Sequence, residues 1–251
     1  MTKRQSLFYL TIVGFSLFLA IGCKRPGTII GDGVADIQGN EYPTVIIGEQ
    51  EWMAENLRTT KYKDGTEIVN ITNSGEWSQL DKGAYAWYNN DENLGEIHGA
   101  LYNWRAVSSE MLCPDGWRMP DHKDWELLME YLENEYGIKN KDIVDGLGNA
   151  LKSCRQEESP LGGHCNTNDH PRWNKNSEHY GTDIFGFSAL PSGYRASNGS
   201  FSSIGRGSLF WNAAGDSKRD ISRMWITNDN GSIRRYTSYP LIGASVRCIK
   251  D

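Results

Sequence analysis

The tightest constraint on this chain lies near its start, where the apolar run from Leu7 to Ile21, LFYLTIVGFSLFLAI, stops at Gly22-Cys23. Lys3 and Arg4 precede it and no acidic residue interrupts it. As a helix, fifteen residues reach about 22 Å at a rise of ~1.5 Å each, whereas a bilayer core of about 30 Å asks for roughly 20. The run is short for a permanent span and suits the apolar core of a signal peptide. The remaining residues are therefore expected to fold outside the cytoplasm, where thiols oxidise.

The end of the run, Leu19-Ala20-Ile21-Gly22-Cys23, resembles the lipobox of bacterial lipoproteins, with Ala20 where Leu is commoner. The resemblance implies that residues 1–22 are removed and that Cys23 becomes a lipidated N-terminus, followed by a Pro- and Gly-punctuated tether to residue 35. Several acyl chains, at about 0.8 kcal/mol per buried methylene, hold a protein on a membrane. An uncleaved anchor and a cleaved leader without lipid are the alternatives. Surface lipoproteins of the Bacteroidota tend to carry acidic residues just after the lipidated cysteine, whereas Lys24-Arg25-Pro26 follows here, so the resemblance implies the periplasmic face of an outer membrane rather than the cell surface. The net charge of −6 becomes −8 without the leader's two basic residues. An acidic exported chain is a poor candidate for nucleic acid or for anionic membrane surfaces.

Four further cysteines remain, Cys113, Cys154, Cys165 and Cys248, and an even number in an oxidising compartment points to two disulfides with three possible pairings. Cys154 and Cys165 flank one Gly-rich loop and are expected to staple it, which leaves Cys113 for Cys248. The alternative is a metal site built from Cys154, His164, Cys165 and His170, ligand types that suit zinc.

Gly (27), Tyr (12) and Trp (9) are abundant and long periodic helices are few, which favours a loop-rich α+β or β domain. Thr44–Ile47, the turn Gly48-Glu49-Gln50 and Glu51-Trp52-Met53 read as a hairpin. Residues 60–82 read as loop, and Ala84–Tyr88 as a half-buried strand. One helix is expected around Leu101, Trp104 and Val107. A second follows Asp121, a capping residue with Asp124 three positions on. Trp125, Leu128, Met129 and Leu132 then form one apolar stripe that ends near Gly137. Residues 138–181 read as loops with a short helix near Ala150-Leu151. Strands are expected at 186–190, 199–201, 209–211, 224–226 and 244–249.

Five ordered motifs carry a resemblance: EWMAENL at 51–57, GALYNWRAV at 99–107, LCPDGWRMPDHKDWELL at 112–128, GTDIFGFSALPSGYR at 181–195 and GASVRCIKD at 243–251. Together they resemble the Fibrobacter succinogenes major paralogous domain, found in many exported proteins of Fibrobacter and the Bacteroidota, over residues 36–251. His98 stands where that family usually has Tyr. The family is similar to C-type-lectin-like folds, including the formylglycine-generating-enzyme group. This implies two helices and a twisted antiparallel sheet with long irregular loops on one side. In such a fold the terminal strands lie side by side, which suits a Cys113–Cys248 bridge.

Catalytic patterns are sparse. Gly-x-Ser-x-Gly, the phosphate loop and His-Glu-x-x-His do not occur. His98, His122, His164, His170 and His179 are scattered and read as surface or loop residues. The formylglycine-generating oxidases use a pair of cysteines near the domain's end, where only Cys248 sits, so that activity is not carried over. The calcium tripeptides of sugar-binding lectins are missing too. Asn228-Asp229-Asn230 with Asp216 or Asp220 offers oxygens of the kind calcium prefers, although the plainer reading is a hydrophilic turn. Otherwise no cofactor is expected.

Trp52, Trp104, Trp117 and Trp125 fall inside the motifs and read as core. Tyr194, Arg195, Trp211, Trp225, Arg234 and Tyr236 lie in the C-terminal strand region, with Arg206, Arg223 and Tyr239 interleaved. Aromatic rings with polar tips suit ligand stacking, and this set is the candidate recognition face. The leading expectation is a non-catalytic binding or adhesion module of the cell envelope that takes a polysaccharide or an envelope protein. One alternative is a glycan-active enzyme, whose two carboxylates would stand about 5 Å apart or roughly 6.5–9.5 Å apart, with Asp183 and Asp216 as candidates. The other is a purely structural lipoprotein.

Overall fold

A computed structural model describes residues 27–213 and 221–251. The leader, Cys23, Asp216 and Asp220 lie outside the described residues. Among those described, no helix is long and apolar enough to cross a membrane.

Two five-stranded sheets organise the chain. The first runs in the order Ile29–Ile30, Thr44–Ile47, Gln50–Met53, Ile249–Lys250, Trp117–Arg118, all antiparallel. The expected hairpin is its centre, with Val45 opposite Trp52. The second sheet runs Phe201–Ile204, Ser192–Arg195, Gly207–Trp211, Ser222–Thr227, Arg234–Thr237. A three-stranded sheet, Val69–Asn70, Ala84–Ala86 and Leu101–Tyr102, and the pair Val34–Ala35 with Glu41–Tyr42 complete the set.

The expected plan of two helices on a twisted antiparallel sheet does not hold. The described residues form five α-helices: α1 (Ser74–Trp77), α2 (Glu92–His98), α3 (Trp104–Val107), α4 (His122–Tyr136) and α5 (Leu147–Leu151). Two of the sheets are mixed, because Gly193 pairs with Ser208 and Val69 with Ala84 in parallel. The first parallel pair has a local cause. Strand 201–204 lies on one side of strand 192–195, and the chain crosses to the other side through Gly205, at φ +76°, whose N–H donates to Pro191 O at 3.0 Å. A side chain would strain that crossing. The missed helices α1 and α2 are too short to show an apolar period. They are set by caps, the side chains of Asn73 and Asp91 accepting from Glu76 N and Asn93 N. Both α1 and strand 69–70 fall within the span expected to be loop.

Three further expectations shift. Residues 186–190 form no strand: Asp183 accepts from Ser188 N at 2.7 Å, and Arg247 donates to the carbonyls of Phe187 and Ser188, which fixes a turn. In 244–249, Ala244 and Ser245 make single bridges to Tyr102 and Phe210, and ladder pairing begins only at Ile249. The strand expected at 199–201 starts at Phe201.

Helix α4 follows its sequence signals. Asp121 and Asp124 form a reciprocal capping box, Gly137 closes the helix at φ 71°, and Trp125, Leu128 and Leu132 are buried. Its stripe meets Trp52, with ring centroids 5.0 Å from Trp125, and Phe187 and Phe210 behind it. This cluster takes the Met224–Ile226 side of the second sheet. A second cluster, around Tyr102, Trp104, Trp117 and Trp211, lies on the other side.

Both disulfides form as expected. Cys113 bonds Cys248, with Cα atoms 5.9 Å apart, and Cys154 bonds Cys165, with Cα atoms 5.0 Å apart. The buried Arg247 joins three motifs. Its Nε donates to Asn56 Oδ1 at 2.9 Å and its guanidinium stacks on Phe187, while Asn56 Nδ2 donates to His98 O at 2.8 Å and to Ser192 Oγ at 2.9 Å. Three of the five motifs thus meet in one internal polar network.

Candidate recognition groove

Strand Ser222–Thr227 alternates strictly: Ser222, Met224 and Ile226 are buried, while Arg223, Trp225 and Thr227 are partly exposed. Pairing places Trp225 between Leu209 and Arg234, and Arg223 opposite Tyr236. Trp225, Arg234, Arg223 and Tyr236 therefore share one face, because cross-strand partners point the same way. Tyr194 meets Trp225 edge to face, centroids 6.0 Å apart. The six-membered half of the indole fills the space that a Cβ at Gly207 would occupy, 2.4 Å from its nearest ring atom.

At the Trp225 end of this face the chain forms a groove of about 400 Å³, lined by Trp225, Arg206, Arg234, Asp229, Ser203 and the polar turn 227–232. The side chains of Arg206 and Arg234 are exposed, and neither has a hydrogen-bond or ion-pair partner among the described residues. Ser203 sits at φ 69°, a backbone conformation that costs a non-glycine residue free energy.

The turn is held from several sides. Asn228 N donates to Arg206 O at 2.9 Å, Gly148 N donates to Gly231 O at 2.7 Å, and Asn230 Oδ1 accepts from Ser232 N at 2.8 Å. Beneath it Lys152 is fully buried, its Nζ donating to His179 O at 2.6 Å, Thr227 O at 2.8 Å and Asn230 O at 3.4 Å. Burial pushes the Lys152 ammonium down to about 7, against the opposing pull of Asp229 and Asp142.

The six residues singled out in the sequence divide. Tyr194 and Trp225 are partly exposed at the edge of the cluster around Tyr102, Trp104 and Trp211, Arg234 and Tyr236 are exposed beside them, and Trp225 and Arg234 line the groove itself. Arg195 and Trp211 are withdrawn from the surface. Arg195 donates to the carbonyls of Gly199, Ile71 and Thr72 and stacks on Trp77 at 4.3 Å. Trp211 Nε1 donates to Tyr102 O at 2.7 Å and its rings pack on Trp104. Sequence reasoning missed Gly207, which seats the indole, and Lys152, which reads as an ordinary surface lysine in ALKSC.

The other chemical candidates do not converge. Cys154 and Cys165 are bonded to each other with His164 Nε2 at 3.6 Å from each sulfur, and His170 lies instead against His98, centroids 6.3 Å apart. Asn230 Oδ1, a calcium candidate, is taken by Ser232. Asp183 is held by Ser188 and raised by burial.

The family described as the Fibrobacter succinogenes major domain matches residues 45–250. Neither a curated protein nor a solved structure matches the chain.

Proposed function

We propose that this chain, which belongs to the Fibrobacter succinogenes major domain family, acts as a lipid-anchored binding module of the cell envelope, tethered through Cys23 on the periplasmic face of the outer membrane, and that it recognises its ligand in the groove at Trp225. The observation that carries the reading is the seating of Trp225. A large aromatic ring is held partly exposed in a concavity by Gly207 and Tyr194. All eight of the chain's other tryptophans are buried. The concavity is polar apart from this ring, and an aromatic ring with a polar surround offers flat apolar area for stacking beside hydrogen-bonding groups. The leader, the Gly22-Cys23 junction and the paired cysteines support an exported location.

Two measurements test it. The chain expressed with its own leader should incorporate radiolabelled palmitate, and Cys23→Ala should abolish the label. The purified protein, applied to arrays of polysaccharides and envelope fractions, should retain a ligand that Trp225→Ala loses while the variant still unfolds cooperatively, at a melting temperature lowered by the lost packing. A ligand retained in full by Trp225→Ala would remove the groove from the reading, and hydrolysis of a glycan by the parent protein would replace binding with catalysis.

A further inference from the structure

The charge of the groove deepens that reading and rests on it. The chain as a whole carries −6, yet this concavity holds two guanidinium groups, Arg206 and Arg234, against one carboxylate, Asp229. Some surface cations elsewhere find acids, as Lys61 meets Glu67 at 3.0 Å and Lys250 meets Glu51 at 2.7 Å, while others such as Lys63, Lys82 and Lys123 stand alone on open surface among the described residues, so what marks Arg206 and Arg234 is that two guanidinium groups line one concavity. Arg206, in the turn before strand Gly207–Trp211, and Arg234, on strand Arg234–Thr237, come from the strands that flank the one carrying Trp225, line the same groove, and have no acid partner among the described residues.

We propose that the groove binds an anionic saccharide, a sugar ring bearing a carboxylate or sulfate. The apolar C–H face of the ring lies on Trp225, the acid group is taken by Arg206 and Arg234, and the hydroxyls are met by Ser203 and the turn 227–232. An aromatic ring supplies flat apolar area with little entropy cost. A guanidinium presents donors in a fork that matches a planar oxyanion. The turn does not have to organise on binding, because Asn228 N, Gly231 O and the carbonyls bonded by Lys152 already hold it. The lining is polar apart from its single ring, which suits a hydroxylated ligand better than an apolar side chain of a partner protein.

The test compares the purified full chain on four polymers: polygalacturonate, a sulfated galactan, neutral galactan and polyglutamate. Either acidic polysaccharide should bind at least tenfold more tightly than neutral galactan, with affinity falling as salt rises, and the two acidic arms distinguish carboxylate from sulfate. Arg206→Gln and Arg234→Gln should each cost about tenfold on the acidic polymer and little on the neutral one, whereas Trp225→Ala should weaken both. Both arginines are exposed, so unchanged melting is expected and checks folding. Neutral and acidic galactans bound equally, with Trp225 still required, would overturn the anion assignment and keep the groove. Polyglutamate bound as tightly as the polysaccharides, with Trp225 dispensable, would assign the site to an acidic protein. Binding to none of the four would sink the saccharide assignment itself.

Discussion

Lys152 Nζ donates to the carbonyl oxygen of Thr227 at 2.8 Å, so a buried ammonium ties down the end of the strand that carries Trp225. The lysine titrates near 7 in the fold and near 10.5 when free. Between those values the unfolded chain binds the extra proton, so this residue makes stability rise as pH climbs from 7 toward 10.5. The burial cost of the charge is fully present below pH 7. Lys152→Met should lack that rise and should leave three carbonyls without a donor, a loss of a few kcal/mol at about 1–3 kcal/mol per orphaned group. Denaturant midpoints of parent and variant between pH 6 and 10 check this, and parallel curves would rule out a lysine neutral in the fold.

The two disulfides should differ in weight. Closing a loop removes unfolded-state entropy that grows with the logarithm of its length. The Cys113–Cys248 separation is 135 and the Cys154–Cys165 separation is 11. The chain-entropy relation gives about 5 kcal/mol for the first and about 3 kcal/mol for the second. Urea unfolding of the two double Cys→Ser variants should show the larger loss for the long loop. The reverse order would mean that the long bridge constrains little in the unfolded chain.

What could be read from the sequence follows from where each signal is stored. Helix α4 carries its own start, stripe and stop in adjacent residues, and the Thr44–Met53 hairpin carries its β-branched run and turn. Helices α1 and α2 bury only Trp77, Gly95 and His98, too few positions to make an apolar period, so their caps are the signal that announces them. The parallel contact of Gly193 with Ser208 depends on which side of a strand the chain passes, which no local pattern encodes. The site shows the same division. Trp225 and Arg234 stood out as an aromatic and a cation in a strand region, but Arg195 and Trp211 looked the same in sequence. Arg195 is drawn in by three carbonyls, and Trp211, which faces the same way as Arg223, is covered by Tyr102 and Trp104.

Arg195 and Arg234 should therefore respond oppositely to substitution. Arg195 is fully buried, and burial lowers its guanidinium to about 10, so it stays charged at neutral pH. Arg195→Met would remove a donor from Ile71 O, while Gly199 O keeps Ser74 Oγ and Thr72 O keeps Asn90 Nδ2, each at 3.2 Å, and with the lost stacking on Trp77 it should cost about 1–3 kcal/mol. Arg234→Gln, at the surface, should change stability by less than about 0.5 kcal/mol. Thermal melting of the pair decides the matter: equal shifts would mean that Arg234 has a structural role as well.

His98 gives the fold an acid-side limit. It is 1 % exposed, neither ring nitrogen has a hydrogen-bond partner among the described residues, and burial together with His170 lowers it to about 4 from 6.5. The folded imidazole stays neutral while the unfolded one takes a proton below 6.5. Its contribution is therefore complete above that pH and is lost as pH falls through 4, up to about 3 kcal/mol at ~1.36 kcal/mol per unit. His98→Phe removes the titration without removing a hydrogen bond. It should match the parent within about 1 kcal/mol at pH 7.5 and exceed it at pH 5. Parent and variant losing stability alike between pH 6.5 and 4 would assign the acid limit to other groups.

Gly207 offers a way to move the Trp225 ring without touching any polar group of the groove. A Cβ at position 207 would stand 2.4 Å from the indole, well inside contact distance, so in Gly207→Ala the ring must turn or lift. The obstacle is the far end of a side chain at a partly exposed site, not backbone, so the cost should stay near 1–3 kcal/mol, the usual range for overpacking. The chain should remain folded with a displaced platform. The expected signature is a shifted Trp225 indole N–H resonance, identified by its loss in Trp225→Ala, together with weakened saccharide binding approaching that of Trp225→Ala. If the resonance stays in place and binding is kept, the indole does not depend on Gly207 for its position, and the seating that underlies the recognition reading is lost.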